Sequence, residues 1–348
     1  MKRKIALIWG YSGVGYAGLQ FNKDSNTLER RIIGVLAGLG YISEANSESA
    51  TKVHMKSASR TDKGVGAVFN VTTMKINTEL TDTVFEKIEH EFSLNNFVLY
   101  KVCQVPRGFV AHKQARNRSY KYFIPTKFME TCNLGSEKEL LNDQTENGTE
   151  KRCKELFRVF TSEDVSFCRG FRVEQEQIDK MGRILKLYEG TRDYHNFTTS
   201  QNKQGTKRHL RRVRSLGTRV VDDVEYLEVS LSGDSFILHQ IRKMVAFALF
   251  NCRYVVDFTK VEENYEKVFS ETKYVLGKAP APYLYLFDIG FRDYNERTEY
   301  GRLEAPEERR DGFEIEMHKS IFTTDNLKEW LIHLATVQFR ADSLNEFV

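Results

Sequence analysis

Apolar residues recur along the chain with two periods. Residues 4–9 form an alternating apolar stretch followed by a glycine-rich turn, which predicts a strand. Leu28, Ile32, Leu36 and Leu39 fall on one helical stripe, with Asn26 as the expected cap and Glu29 three positions on. Residues 67–76 are β-branched enough for a strand, and a helix over 81–92 and a strand over 97–103 follow. YKYFI (120–124) opens a second series of elements. Ile178, Met181, Leu185 and Tyr188 mark a helix ahead of GTRDYHNFT (190–198), and VEYLEVSL (224–231) reads as a strand. The next helix turns Ile237, Ile241, Met244, Val245, Ala248 and Leu249 inward. A last helix, capped by Thr324 or Asp325, carries Leu327, Trp330, Leu331, Leu334 and Val337.

Strands and helices that mingle through hairpin-like connections predict an α+β fold with a mostly antiparallel mixed sheet. The order of strand and helix patterns divides the chain into an N-terminal half (1–105) and a C-terminal half (106–292), followed by a charged connector with a final helix (293–348). The acidic stretch 128–152 reads as an inserted surface loop within the second half.

With 348 residues, 41% hydrophobic and 29% charged, the chain has the composition of a folded globular protein. It has no apolar run near the roughly 20 residues of a membrane helix. MKRKIALIWGYSG is broken by glycine and polar residues too early for a secretory leader. Five cysteines lie far apart, which predicts reduced thiols, an intracellular protein and no metal site. The net charge of +4 says little by itself, but its distribution says more. Residues 107–127 hold six Lys/Arg and no acid, and residues 203–219 hold seven and no acid. Two such runs, one interleaved with aromatics in RNRSYKYFI, point to a polyanion-binding surface. Arg116, Arg118, Lys207, Arg208, Arg211 and Arg212 are the candidate contacts of that surface.

GVGYAG (13–18) matches a dinucleotide-binding glycine pattern. LQFNKDSN then intervenes before any helix, and no acid closes a following strand, so a nucleotide cofactor is not expected.

ASRTDKGVGA (58–67) carries the chemistry. Its Asp-Lys-Gly core is by itself a turn, but the whole segment resembles the catalytic loop G-R-T-D-x-G-V-H-A of the TruA-type tRNA pseudouridine synthases. GYSGVGYAGLQ (10–20), RSYKYFI (118–124), YEGTRDYHNFT (188–198), SFILHQIRKMV (235–245) and APAPYLYL (279–286) resemble the family's other segments in order. The resemblance spans roughly residues 4–291 and leans toward the eukaryotic multisite branch. It implies the pseudouridine synthase fold in two halves meeting at a basic cleft. It also implies Asp62 as the catalytic residue, Arg60 entering the stack vacated by a flipped base, and Tyr120 and Leu284 on the two faces of the uracil. Arg242 would keep the carboxylate ionised. tRNA, and by extension other structured RNA, is the implied partner of a monomer or homodimer without cofactor. The implied compartment is the nucleus, with cytoplasm and mitochondrion as alternatives. A catalytically inactive tRNA-binding or chaperone protein of the same fold is the competing reading. Gly66 replaces the family's histidine, Ala58–Ser59 its lead-in, Leu19 a tryptophan or methionine, and Ala246 and Tyr283 glycines.

Overall fold

The computed structural model describes residues 2–131, 164–200, 205–339 and 347. Most of the expected insertion therefore lies outside the described residues. In chain order the main elements begin with β1 (Arg3–Tyr11), α1 (Leu28–Gly38), β2 (Lys56–Ser57), β3 (Gly66–Ile76), α2 (Asp82–Ser93) and β4 (Phe97–Gln104). Next come β5 (Asn117–Pro125), α3 (Gln175–Lys186), β6 (Gly190–Asp193), β7 (Lys207–Val221) and β8 (Val224–Gly233). The series closes with α4 (Gln240–Tyr254), α5 (Phe258–Phe269), β9 (Leu284–Gly290), α6 (Glu307–Ile321) and α7 (Thr324–Phe339). The fold is α+β with mostly antiparallel strands. Among the described residues no helix is long and apolar enough to cross a membrane.

The chain forms two compact units, each drawn from two stretches. The first comprises Met1–Tyr120 and Leu284–Ile321, the second Lys121–Tyr283 and Phe322–Val348.

In the first unit β1 lies between β3 and β4, antiparallel to both, and β9 runs parallel to β3 with Gly66 opposite Tyr285. Ile5 through Tyr11 are buried without interruption. This is the signature of a strand covered on both faces. Trp9 packs edge-on against Phe92 of α2 and Phe97 of β4. On the other face Gly10 leaves room for α6, since a Cβ there would lie 2.8 Å from Phe313 and 2.7 Å from Val68 O.

Two helix starts differ from expectation. α1 is capped by Thr27 rather than Asn26, and it makes no side-chain cap bond. Its first free amides are taken instead by the glycine loop: Leu28 N donates to Gly18 O (3.2 Å) and Glu29 N to Leu19 O (3.0 Å). α7 starts at Thr324 and is capped one residue earlier than predicted, with Thr323 Oγ1 accepting from Asn326 N at 3.2 Å. The stretch read as a charged connector contains α6, whose charge is neutralised locally: Arg309 pairs with Glu89 and Arg310 with Asp288.

In the second unit β7 and β8 form a long hairpin closed at Val221–Val224. Asp222 and Asp223 both have positive φ, 49° and 63°. That is the type I′ geometry that matches strand twist. β6 pairs on the far edge of β7. α4 is buried along nearly its whole length. Tyr188 anchors it by donating to Met244 O at 2.8 Å. In α7, Trp330 is fully buried and stacks on Phe128, centroids 5.6 Å apart and planes 19° apart. Tyr122 and Tyr283 complete its pocket.

Trp330→Ala should therefore destabilise the protein by about 3–5 kcal/mol, read as a lower urea midpoint. Trp330→Phe should cost much less, because the indole N–H has no hydrogen-bond partner among the described residues.

Candidate active site

After β2 the chain leaves the sheet and returns into β3 through residues 58–65. Ala58 N donates to Val71 O at 2.8 Å, and Val65 N closes a turn onto Asp62 O at 3.1 Å. Gly64 sits at φ +79°, a conformation that favours glycine. Asp62, at the start of this turn, is half-buried, and Arg60 is exposed.

The glycines that failed as a nucleotide motif support this loop. A Cβ at Gly13 would lie 2.5 Å from Val65 C and O and 2.6 Å from Gly64 C. At Gly18 it would lie 3.2 Å from Thr61 O, and the φ there is +114°. Leu19 N then donates to Thr61 O at 3.1 Å. Backbone packs on backbone, which only glycine permits.

Polar side chains hold the loop from beneath. Tyr11 Oη lies 2.9 Å from Thr61 Oγ1, and Asn70 Nδ2 donates both to Tyr11 Oη (3.1 Å) and to Ser59 O (3.0 Å). Glu29, buried in the first turn of α1, accepts from Phe21 N (2.9 Å) and from Ser57 Oγ of β2 (2.8 Å).

Tyr120, the last residue of the unit's first stretch, is buried, and its hydroxyl lies 2.8 Å from Ser59 Oγ. Burial pushes this hydroxyl's pKa up; Ser59 and Arg118 pull it back, and the Asp62 carboxylate raises it further. Asp62 is thus electrostatically felt at Tyr120. Leu284 starts β9 one residue before the Gly66–Tyr285 pair, which puts it level with Val65. It is 6% exposed. Asp62, Arg60, Tyr120 and Leu284 thus gather around one loop in the first unit. Burial lowers the His112 pKa, and Lys113, Lys56, Arg118 and Arg60 add to the drop. The loop's surroundings are therefore cationic.

Arg242 belongs to the second unit. On α4 it is half-buried, with Nε donating to Ala279 O at 2.6 Å while Ala279 N returns a bond to Arg242 O at 3.0 Å. The APAP segment thus fixes the arginine's direction. His239 caps α4 at φ +63°, its Nδ1 2.8 Å from Thr199 Oγ1. The neighbouring Lys243 is 6% exposed and donates to Asn196 O (3.2 Å) and Thr198 O (3.0 Å). It ties α4 to the HNFT segment.

The candidate RNA contacts divide by exposure. Lys207, Arg211 and Arg212 are exposed along β7, and Arg211 pairs with Asp234 at 2.6 Å. Arg208 is half-buried and donates to Gly205 O and Lys207 O. Arg116 is exposed and pairs with Asp293. Arg118 is buried, donating to Ala115 O (3.2 Å), Ala58 O (2.9 Å) and His112 O (3.0 Å). It is a brace for the loop. Sequence reasoning missed Tyr11, Asn70, Glu29 and Lys243. The signal available was that Tyr11 and Lys243 sit inside the motif segments themselves.

A braced aspartate turn beside a buried tyrosine, on an α+β scaffold, is the arrangement at this site. Residues 184–292 match the sequence family described as tRNA pseudouridine synthase. tRNA pseudouridine synthase 1 of Kluyveromyces lactis is 27% identical, over 86% of this chain and 62% of its own length. Its counterpart in Yarrowia lipolytica is 27% identical over 86% of this chain and 66% of its own. The mouse pseudouridylate synthase 1 homolog is 27% identical over 88% of this chain and 64% of its own. The chain thus spans less than two thirds of the length of these curated relatives. The chain is thus similar to tRNA pseudouridine synthases, over residues 184–292 by the family pattern and over most of its length by these relatives.

His333 of α7 gives the second unit a pH response. Burial, helped by the Arg242 charge, holds its imidazole down at about 4 against the ordinary 6.5. The folded protein then keeps His333 neutral while the unfolded chain takes up a proton. Its stabilising effect is complete above 6.5 and declines as pH falls toward 4, by on the order of 3 kcal/mol in all. Urea unfolding of wild type and His333→Gln at pH 7 and pH 4.5 should show the wild type losing more stability than the variant.

Proposed function

We propose that the chain is a tRNA pseudouridine synthase, isomerising uridines in tRNA by base flipping and an Asp62-dependent break and re-formation of the glycosidic bond. The observation that carries the reading is the Asp62 turn, held rigidly by Gly13, Gly18 and the polar side chains below it, with Arg60 exposed beside it.

The isomerisation detaches uracil from the sugar at its ring nitrogen, rotates it, and reattaches it through carbon 5. It calls for an anionic nucleophile or base next to an electron-deficient sugar, which a carboxylate supplies. The target base must first leave its stack, at a cost of a few kcal/mol. Arg60, planar and exposed, suits the space it vacates. Tyr120 offers a ring face to the uracil, worth about 1–3 kcal/mol, and Leu284 an apolar one. Arg242 is assigned to the support of the carboxylate by resemblance. The exposed cations of β7 suit phosphate contact, with Lys207, Arg211 and Arg212 foremost. The same reading expects a nuclear protein acting as a monomer or homodimer.

Asp62→Asn keeps size and turn propensity but removes the anion. Tritium release from uracil carbon 5 in a tRNA pool should fall about 10⁴-fold or more, with folding and tRNA affinity retained. Arg242→Ala should also lower turnover strongly. Release at the wild-type level by Asp62→Asn would sink the mechanism; absent release from wild type would favour the inactive binder.

Affinity for tRNA should fall with salt, with a log–log slope of about −0.9 per phosphate contacted in paired regions. Reversing Arg211 and Arg212 to glutamate should weaken binding and reduce that slope. The lost Arg211–Asp234 pair is exposed, so stability should change by about 1 kcal/mol or less. Unchanged affinity would place the RNA surface elsewhere.

A further inference from the structure

We propose that Tyr11 and Asn70 are positioning residues that set the geometry of the Asp62 turn by pinning the residues on either side of Arg60. The inference rests on the catalytic reading of Asp62 and deepens it.

Both residues are fully buried, Tyr11 in β1 and Asn70 in β3, and neither reaches the surface where a substrate would sit. Asn70 Oδ1 accepts from Val71 N at 2.8 Å, which fixes the amide's orientation. Both amide hydrogens are then committed, one to Ser59 O and one to Tyr11 Oη. Tyr11 Oη, oriented by this hydrogen, shares a second hydrogen bond with Thr61 Oγ1, 2.9 Å away. Burial raises the Tyr11 pKa far above its ordinary value, so the group stays a neutral phenol.

Ser59 and Thr61 flank Arg60, and Thr61 directly precedes Asp62. One buried pair therefore holds both flanks of the reactive segment. Leu19 N fixes Thr61 O from above. The segment has no regular hydrogen-bond ladder of its own between Ala58 and the turn. Its placement depends on these contacts, and a displacement of about 1 Å in a reacting group can cost about 100-fold in rate.

The test separates rate from binding and from folding. Tyr11→Phe removes one oxygen, and Thr61→Val replaces the hydroxyl by a methyl of similar size. Each should slow single-turnover tritium release from tRNA roughly 10- to 100-fold, with tRNA affinity kept within about twofold. The double variant should be little slower than the slower single, because both remove the same link. Thr61→Ser, which keeps the oxygen, should retain a rate near wild type. In folded Tyr11→Phe, amide exchange over residues 59–65 should accelerate while β1 and β3 stay protected.

Wild-type rates in folded Tyr11→Phe and Thr61→Val would overturn the inference alone, as would equal slowing by Thr61→Ser and Thr61→Val. No release from wild type would instead remove the catalytic reading of Asp62, and this inference with it.

Discussion

Two backbone segments approach each other in the first unit more closely than any side chain would allow. Gly13 rests on Gly64 and Val65, where a single added carbon would clash, and Gly18 rests on Thr61, where an added carbon would be tight at 3.2 Å and the φ of +114° disfavours any side chain. Much follows from this approach. It brings the Leu19 amide onto Thr61 O and the Gly18 and Leu19 carbonyls onto the first amides of α1. The helix start, the glycine loop and the aspartate turn are thereby one hydrogen-bonded body. The pattern that resembles a phosphate cradle is here a cradle for protein backbone.

Beneath that contact lies a layer of polar side chains in an otherwise apolar interior. Trp9 donates to Thr72, Thr72 meets Ser57, Ser57 donates to Glu29, and Glu29 takes the Phe21 amide. A second chain runs through Asn70, Tyr11 and Thr61. Burying such groups is costly unless each finds a partner. Satisfied, they specify a single arrangement where apolar packing alone would tolerate several. A loop that must hold a carboxylate in one place gains from that exactness.

The strands and helices were largely legible in the sequence because they depend on local periodicity. Ile5 to Tyr11, Gly66 to Ile76 and the buried face of α4 all follow from the apolar pattern. Non-local facts were not legible. That Gly10 makes room for Phe313, or that Gly66 would meet Met317, links residues about 250 to 300 positions apart; no window detects that. The caps failed for a related reason: Asn26 looked like a cap, yet its amide donates to Gly15 O at 3.1 Å while backbone carbonyls serve the helix. The roles proposed for Asp62, Arg60, Tyr120 and Arg242 come only from the resemblance to the family's motifs. Composition gave a charge pattern, and that pattern placed Arg118 among surface cations when it is in fact committed to three carbonyls.

The discontinuous make-up of the first unit has a consequence for the chain's biogenesis. Its N-terminal stretch ends at Tyr120, but β9 and α6 come from residues 284–321. Until those residues leave the ribosome, the start of β3 just after the aspartate turn lacks its parallel neighbour. The α6-facing side of β1 and β3 is meanwhile uncovered. Chains emerge N-terminus first at roughly 5–20 residues per second. The aspartate turn must therefore wait, incompletely covered, on the order of ten seconds or more for the last pieces of its own scaffold.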